Sequence, residues 1–307
     1  MKVAIQKLFK YLTYYIDRFW RSAIFILLSI PFFFTIIVIP FIIRNKKTED
    51  LSERHTKIWF KLLFKIFGIK LKIIKEEEFE KGSREKEREK EKEQGIESKS
   101  ESKNKDSEDK AKKFFIYANH ISFLDIPSII LAFENKKIKF LAKEEVLKIP
   151  VIGWGMAIQK HPVIRKSRKI DSIIKVISLM KDENQNTDAI CIFPEGTRGD
   201  PQRDIRKLLP FEEGVGFIVE RLKMPIIPVA IIGTHKVYPP GAIIPRSGEI
   251  KVVIGRKIND VNDLIMESQW IGKSSDEKMQ DSKTKTRKEI TQKLYNILGK
   301  MLERFYP

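Results

Sequence analysis

The fold of this chain can be traced outward from residues 115–125, which read FIYANHISFLD. The apolar run 114–117 predicts a short buried strand that ends at the polar pair Asn119-His120. Asp125 then opens the segment DIPSIIL, in which a helix-capping residue precedes a proline in the first turn of an apolar helix. The stretch therefore predicts a strand, a turn and a helix in direct succession.

Two side chains on this predicted turn can take part in acid–base chemistry, His120 and Asp125. The carboxylate can hold one imidazole nitrogen while the other nitrogen faces a substrate hydroxyl, which is the arrangement of a general base and its orienting group. A structural role for His120 is the alternative, because a histidine and an aspartate at this spacing occur by chance in many chains. A second motif is needed to favour the functional interpretation.

Residues 189–198, AICIFPEGTR, provide that second motif. An apolar strand again ends abruptly in a polar turn, which carries a carboxylate, a hydroxyl and a guanidinium. Arg198 and Thr197 on a glycine-containing turn suit a phosphate, because the planar fork of arginine donors matches the phosphate oxygens. Taken alone, the turn is equally typical of a surface salt bridge. The two motifs together are far less frequent by chance.

Composition limits the classes of protein to consider. The chain has 307 residues, 42% of them hydrophobic, which is enough for one α/β domain with appendages. Its net charge of +18 suits an anionic surface, either membrane lipid or nucleic acid. The single cysteine, Cys191, excludes an internal disulfide and is expected in the core. The four histidines show no metal-ligand spacing, so no metal site is predicted.

The N-terminal region predicts a membrane anchor. Residues 1–22 have the spacing of a basic amphipathic helix, and the 21 residues Ala23–Ile43 contain no charge. That length can cross a hydrocarbon core of about 30 Å. Pro31 and Pro40 favour kinks, and basic residues flank the run on both sides. A span and a re-entrant helix with both ends on the cytoplasmic side therefore both remain open.

The rest of the chain predicts an α/β domain in which a mixed β-sheet is flanked by helices, preceded by N-terminal membrane-associated helices. The tract 75–113 is rich in Lys, Glu, Ser and Arg, with 13 Lys/Arg against 14 Asp/Glu, which predicts a disordered loop or a solvated charged helix. Its place between two predicted strands resembles an insertion in a surface hairpin. The predicted segments are an anchor (1–50), an amphipathic helix and first strand (51–74), the charged insertion (75–113), the catalytic domain (114–260), and a polar tract with a closing amphipathic helix (261–307).

The motifs resemble those of the glycerolipid acyltransferases, and within that family those of the 1-acyl-sn-glycerol-3-phosphate acyltransferases. The resemblance rests on Asn119-His120 with Asp125, and on the turn Phe193–Arg198. The blocks 140–154 and 227–231 are similar to further family motifs. The resemblance covers roughly residues 50–75 and 114–260, and it implies the mixed-sheet fold of that family.

The resemblance also implies roles for individual residues. His120 would take a proton from the acceptor hydroxyl, and Asp125 would orient the imidazole. The phosphate and glycerol of the acceptor would be bound by Glu195, Gly196, Thr197 and Arg198, with Arg165 assisting.

The reaction implied is the transfer of a fatty acyl group from acyl-coenzyme A or acyl-carrier protein to the sn-2 hydroxyl of lysophosphatidate, which forms phosphatidate. No cofactor or metal is expected, and the partners would be the two substrates and the bilayer, with the catalytic domain on the cytoplasmic face. Glycerol-3-phosphate or another lysophospholipid is the alternative acceptor. A non-catalytic membrane-binding protein with the same fold is a further alternative, whereas the long apolar run argues against a nucleic-acid-binding protein.

Overall fold

The computed structural model describes residues 2–43, 45–78, 113–165, 167, 169–182, 187–199, 203–264 and 276–306. Most of the charged tract 75–113 therefore lies outside the described residues, as do residues 265–275 of the predicted polar tract. The predictions made for those two segments are not addressed by the structure.

A six-stranded mixed sheet forms the centre of the domain and confirms the predicted fold class. The strands of the chain are β1 (Ile69–Lys75), β2 (Phe114–Ala118), β3 (Ile138–Phe140), β4 (Ala142–Lys143), β5 (Val163–Ile164), β6 (Ala189–Ile192), β7 (Ile226–Ile232) and β8 (Gly248–Ile254). The large sheet has the order β1-β8-β7-β2-β6-β3, and β4 pairs with β5 in a small second sheet. All neighbouring strands are parallel except β7 and β8.

Helices cover both faces of the large sheet. The helices are α1 (Lys2–Phe33), α2 (Ile39–Ile42), α3 (Lys46–Ile66), α4 (Asp125–Ala132), α5 (Ile152–Ile158), α6 (Lys169–Lys181), α7 (Gly214–Leu222), α8 (Thr234–Val237) and α9 (Asp276–Phe305). Side chains of α3 and α4 pack on one face, and those of α6, α7 and α9 pack on the other. Because both faces are covered, the central strands are apolar throughout, and β2 is buried at every position.

The predicted surface hairpin around the charged tract is wrong. In the sheet, β8 and β7 lie between β1 and β2, so the tract 75–113 connects two strands that do not pair. The partner of β1 is β8, and Ile69 pairs with Gly248 far along the chain. Short-range sequence patterns contain no information on such a pairing, which depends on the whole sheet.

The N-terminal helix continues through both of its prolines. A π-helical turn, Phe34–Val38, joins α1 to α2, and Leu12–Ile42 is long and apolar enough to cross a membrane. Pro40 has no N–H to donate, and the carbonyl oxygen of Ile36 instead accepts a hydrogen bond from Ser52 Oγ at 2.8 Å. The helix is therefore continued by a local π-turn and a side-chain hydrogen bond from α3.

One side of α1 packs along α3. Trp59 Nε1 donates to Ser29 Oγ at 2.9 Å, and the guanidinium of Arg21 donates to the carbonyl of Ile66 at 2.7 Å. The remaining surface of α1, together with α2, exposes many large apolar side chains, among them Leu12, Tyr15, Phe19, Trp20, Ile26, Leu27, Phe41 and Ile42. Such an exposed apolar surface indicates membrane association.

Two helices begin earlier than their apolar periodicity predicts. Helix α3 begins at Lys46 instead of residue 51, because Asn45 and Thr48 form a reciprocal capping box. Helix α9 begins at Asp276 and includes part of the predicted polar tract. Its predicted apolar face is buried as expected, with Ile290, Leu294, Leu298 and Met301 in the core.

A buried polar network joins α3 to the sheet. His161 Nδ1 accepts the backbone N–H of Phe140 at 2.8 Å, and its Nε2 lies 3.3 Å from Gln159 Oε1. The Gln159 amide in turn donates to Ser52 and Thr56 of α3. Because a backbone N–H can only donate, Nδ1 carries no proton, and this arrangement requires the neutral imidazole.

Burial of the His161 ring, with a smaller effect of the Lys139 ammonium, lowers the pKa of His161 to about 3, although part of the residue surface remains exposed. Lys139 itself is buried and paired with Glu53 and Glu49. An unfolded chain takes up a proton at His161 near pH 6.5, whereas the folded protein does not. This residue therefore contributes stability that is present above the unfolded pKa and is lost as the pH falls toward the folded pKa.

The substitution His161→Asn is expected to make the free energy of unfolding less dependent on pH in the acidic range. The asparagine oxygen can replace Nδ1 as acceptor but cannot be protonated in this range. Between about pH 6.5 and pH 4 the wild-type protein should lose up to about 1 kcal/mol more per pH unit than the variant. Thermal unfolding in detergent at a series of pH values measures the difference. Parallel pH profiles for the two proteins would show that His161 does not control this dependence.

Candidate active site

The candidate site lies at the carboxyl edge of the central strands. Strands β7, β2, β6 and β3 are parallel neighbours, so their carboxyl ends lie at the same edge of the sheet. Ligand sites of open α/β sheets commonly lie at this edge. The residues that follow β2 include His120, and those that follow β6 form the turn 193–198. Parallel pairing therefore brings the two sequence motifs together.

Asn119 holds the first motif in place. Its side-chain amide donates to the carbonyl of Ile231 at 2.9 Å, and its side-chain oxygen accepts the Ile231 N–H at 2.7 Å. This buried side chain thus continues the pairing of β2 with β7 by one more position. His120 leaves the sheet directly after this anchor, which determines where its ring can lie.

His120 and Asp125 form the predicted pair. His120 Nδ1 lies 2.8 Å from Asp125 Oδ2. Oδ2 also accepts the backbone N–H groups of Ile121 and Ser122, both at 2.7 Å, so the turn itself orients the carboxylate. Because the carboxylate accepts the Nδ1 proton, the other ring nitrogen, Nε2, is the one that can act as a base.

The surroundings of the pair leave one side of the imidazole open. The Asp125 side chain is fully buried, whereas the His120 side chain is 18% exposed. The ring of Phe193 stacks on His120 with centroids 4.0 Å apart and planes 17° apart. No described residue forms a hydrogen bond with His120 Nε2. A substrate hydroxyl can therefore approach Nε2 while the ring stays fixed.

Glu195 has a different position from the one predicted for it. The residue is buried, and its Oε1 accepts the backbone N–H of His120 at 2.8 Å. Its Oε2 accepts from the Arg203 guanidinium at 2.8 Å and from the Leu209 N–H at 2.9 Å. Both oxygens are thus occupied by protein donors, and the predicted contact of Glu195 with substrate is not supported. The carboxylate instead ties the second motif to the first.

Glu195→Gln is expected to lower the free energy of unfolding by roughly 3 kcal/mol, because the amide cannot accept from all three donors and Arg203 loses its buried counter-charge. Urea unfolding in detergent measures the change. Glu134→Gln is a suitable control, since Glu134 forms a half-exposed pair with Lys61 and should change stability by less than about 1 kcal/mol. Equal effects of the two substitutions would contradict the anchoring role of Glu195.

Lys143 is a site residue that the sequence interpretation did not single out. Gly196 has φ of +66°, and a Cβ atom there would lie 2.7 Å from Glu212 Oε1 and 3.1 Å from Lys143 Nζ. The Lys143 ammonium, 3.5 Å from Glu212, therefore lies against the backbone of the second motif. The advance signal was its position in the block 140–154, which is similar to a further motif of the glycerolipid acyltransferases. Its proximity to Gly196 required the register of β3 on β6.

Arg198 is exposed beside a cavity. Its guanidinium lies over the ring of Phe123, 3.7 Å from the centroid, and no described carboxylate pairs with it. A cavity of about 390 Å³ opens next to Arg198, Thr197 and Phe123, and His235 lies in its wall. Burial and the adjacent Lys236 lower the pKa of His235. The structure thus offers one fixed, uncompensated cation at the cavity, with a hydroxyl beside it.

Arg165 lies at the end of the small sheet. It follows β5, in which Ile164 pairs with Lys143, and its backbone N–H donates to Ser172 Oγ at 3.1 Å. Its side chain is exposed, and no contact among the described residues joins it to His120 or Arg198. The role implied for Arg165 stays a prediction.

The segment that carries this site is similar to a known protein family. Residues 98–232 match the model of the acyltransferase family. The match covers 135 of the 307 residues, somewhat less than half of the chain. The matched segment contains both motifs, the His120–Asp125 pair and the turn that ends in Arg198.

Several curated proteins similar to this chain are named 1-acyl-sn-glycerol-3-phosphate acyltransferases. The chloroplastic protein of Brassica napus is 30% identical over 145 residues, which are 46% of this chain and 39% of the relative. The Saccharomyces cerevisiae protein is 29% identical over 60% of this chain and 58% of its own length. The Helicobacter pylori protein is 31% identical over 40% and 50%. The matched segment thus spans less than two thirds of each relative.

A solved structure shares the fold. This chain is similar to the crystal structure of the 1-acyl-sn-glycerophosphate (LPA) acyltransferase PlsC from Thermotoga maritima. The superposition covers 92% of this chain and 97% of the PlsC chain, with a TM-score of 0.54. The sequence identity is 21%, so this likeness concerns the fold. This likeness in fold extends beyond residues 98–232 to nearly the whole chain.

Proposed function

We propose that this protein transfers a fatty acyl group from a thioester donor, acyl-coenzyme A or acyl-carrier protein, to the sn-2 hydroxyl of 1-acyl-sn-glycerol-3-phosphate. The product would be phosphatidate, a precursor in phospholipid biosynthesis. The observation that carries the proposal is the 2.8 Å contact between His120 Nδ1 and Asp125, with Nε2 open at the carboxyl edge of the sheet. The match of residues 98–232 to the acyltransferase model and the names of the curated relatives support the reaction type.

In the proposed reaction, His120 Nε2 accepts the proton of the sn-2 hydroxyl while the hydroxyl oxygen attacks the thioester carbonyl carbon. The tetrahedral intermediate collapses with cleavage of the carbon–sulfur bond, and the departing thiolate takes the proton from His120. The products are the new ester and a free thiol, and the imidazole returns to its starting state. A correctly positioned base of this kind contributes roughly 10²–10⁴-fold to the rate.

Asp125 would stabilise the imidazolium that forms during this cycle. Its carboxylate is fully buried and is held by the N–H groups of Ile121 and Ser122, so it requires no rearrangement when the charge develops. Phe193 prevents the imidazole from rotating away. The substrate supplies the nucleophile, so the pair needs no serine or cysteine beside it.

The phosphate of the acceptor would bind to Arg198, Thr197 and Lys143. Arg198 is the exposed cation at the cavity, and Lys143 lies against Gly196 on the same turn. An arginine fork and an ammonium can together occupy several phosphate oxygens. This grouping favours an acceptor that carries a phosphate over a neutral lipid, and Arg165 would assist if its side chain reaches the same group.

Arg198→Ala is expected to lower kcat/KM for lysophosphatidate by roughly tenfold or more, which is the loss of one charge-assisted hydrogen bond. Activity toward monoacylglycerol, which has no phosphate, should change much less. Steady-state kinetics with both acceptors separates the two effects. Arg221→Ala is a matched control, because Arg221 is also exposed and lies over a phenylalanine ring. Equal losses with both acceptors would argue against a phosphate contact.

The catalytic domain would lie on the cytoplasmic face of the membrane, where acyl-coenzyme A and acyl-carrier protein are available. The apolar helix Leu12–Ile42 would hold the domain at the bilayer, in which lysophosphatidate and phosphatidate reside. The net charge of +18 would attract anionic lipid, with each cation near the surface contributing about 1 kcal/mol. A proteolysis assay on sealed spheroplasts tests the side, since a cytoplasmic domain should be protected.

An acceptor and donor panel tests the proposed function. Purified protein in detergent would be incubated with acyl-coenzyme A or acyl-carrier protein and with lysophosphatidate, glycerol-3-phosphate or another lysophospholipid. Phosphatidate formed from lysophosphatidate is the expected product. Product from glycerol-3-phosphate alone would move the assignment to that acceptor, and no product with any combination would favour a non-catalytic membrane-binding role.

A further inference from the structure

Four large apolar side chains are exposed within six residues after the 3₁₀ turn Glu144–Lys148. The exposed fractions are 38% for Ile149, 51% for Val151, 43% for Ile152 and 51% for Trp154. These four residues, named here the apolar ridge, lie in the segment 149–158, which contains no charged residue. We propose that the apolar ridge inserts into the lipid bilayer as a second membrane contact of the catalytic domain.

The backbone holds the ridge outward against its local preference. Val151 has φ of +67° and ψ of −55°, and the Ile152 N–H donates to the Pro150 carbonyl at 2.7 Å across this tight turn. A β-branched residue rarely adopts that conformation, which is costly. Gly153 lies so close to the backbone of Leu147 that a Cβ atom on residue 153 would be 2.2 Å from the Leu147 carbonyl oxygen. The strained segment turns the apolar side chains of Val151, Ile152 and Trp154 toward the exterior.

The ridge is continuous with the N-terminal apolar helix. Helix α5, which begins at Ile152, packs against the π-helical turn Phe34–Val38. Phe34 in that turn and Phe41 beyond it are 50% and 60% exposed. Because the N-terminal helix is the membrane-associated element of the chain, lipid is the medium expected beside α5 as well. The two exposed apolar surfaces therefore adjoin.

The residues at the edges of the ridge suit a membrane interface. Trp154 is an aromatic residue of the kind that is enriched at the headgroup level. Lys148 precedes the ridge and is exposed. Its long side chain can reach anionic headgroups while its apolar stem remains near the hydrocarbon. This pattern favours an anionic lipid bilayer over an apolar groove of another protein.

Insertion would also position the candidate site. Strand β4 ends at Lys143, and the chain then passes through one 3₁₀ turn to the ridge. A ridge in the hydrocarbon therefore holds Lys143 and the second motif close to the headgroup layer. The inference goes beyond the proposed reaction, because it concerns how the domain sits on the membrane and holds for any acceptor.

A depth measurement at Trp154 tests the proposal in the full chain. The variant Trp20→Phe, Trp59→Phe, Trp270→Phe leaves Trp154 as the single tryptophan. It would be reconstituted into vesicles of phosphatidylcholine and phosphatidylglycerol, with or without bromine on the upper acyl chains. Insertion should lower Trp154 emission about twofold or more in the brominated vesicles. The matched control adds Trp154→Phe and Gln292→Trp, because Gln292 is exposed on α9, on the opposite face of the sheet from α3.

The expected result is quenching at Trp154 and none at the Gln292→Trp position. Trp154 emission that is not quenched by brominated lipid would overturn the proposal. If the unquenched emission instead shifts with protein concentration, the ridge is a contact with another protein. A second measurement avoids the tryptophan replacements. Trp154→Cys can be labelled with an environment-sensitive dye, because burial of Cys191 raises its thiol pKa and disfavours reaction there. If the dye at position 154 has the emission of an aqueous environment when the protein is bound to vesicles, the proposal is likewise overturned.

Discussion

Replacing His120 with alanine is expected to lower kcat for acyl transfer by about 10³-fold, within the range of 10²–10⁴-fold that a positioned base contributes. The imidazole is the only group at the open end of the pair, and no described side chain lies in a position to replace it. The substitution should leave KM nearly unchanged, because the predicted phosphate contacts lie on Arg198 and Lys143. Steady-state rates of phosphatidate formation in detergent measure the effect.

The result for His120→Ala has meaning only in a folded protein. Thermal unfolding should therefore be compared with that of wild type, and His161→Asn is a suitable control for loss of a different histidine. That variant should retain most of its activity, since His161 contacts Phe140 and Gln159 and not the His120–Asp125 pair. If a folded His120→Ala protein retained wild-type kcat, the proposed base would have to be abandoned.

Asp125→Asn should lower kcat by about 10²-fold or more, although the change is nearly isosteric. An amide oxygen at the position of Oδ2 can still accept from His120 Nδ1 and from the Ile121 and Ser122 N–H groups. The neutral side chain no longer stabilises the imidazolium. In addition, the amide NH₂ would occupy the position of Oδ1, which is buried and has no hydrogen-bond partner among the described residues.

The informative comparison is between kcat and KM. A loss confined to kcat indicates that Asp125 acts on the reacting imidazole, whereas equal losses in stability and in both kinetic constants would indicate a purely structural role. Asp204→Asn is a control, since Asp204 is an exposed aspartate that pairs with Arg206 and should show near-wild-type kinetics.

Comparison of the predicted and observed structures shows where local information ends. The strand predicted for residues 114–117 agrees with β2 within one residue, because its apolar run ends at the polar pair Asn119-His120. By contrast, the start of α3 depended on the capping pair Asn45 and Thr48, which lies outside the apolar periodicity. The partner of β1 was predicted wrongly, since a strand that follows a helix can join either edge of a sheet.

The site shows the same division. Arg198, which is predicted to bind the acceptor phosphate, lies exposed at the cavity, whereas Glu195 in the same motif is buried and bonded to His120, Arg203 and Leu209. Sequence alone does not distinguish the two, because both are charged residues on one turn. Glu195 is buried because the loop that includes Arg203 packs against this turn, and the sequence of the turn does not contain that information.

By itself, the sequence determined the local chemistry of this protein: an apolar strand, a turn with His120, and a helix that begins at Asp125. The five-residue spacing keeps these two side chains on one turn, so no distant contact is needed to pair them. The tertiary structure alone decided that Glu195 anchors His120 and that Lys143 reaches Gly196. Both contacts depend on the register of parallel strands far apart in the chain, which is set by packing of the whole sheet.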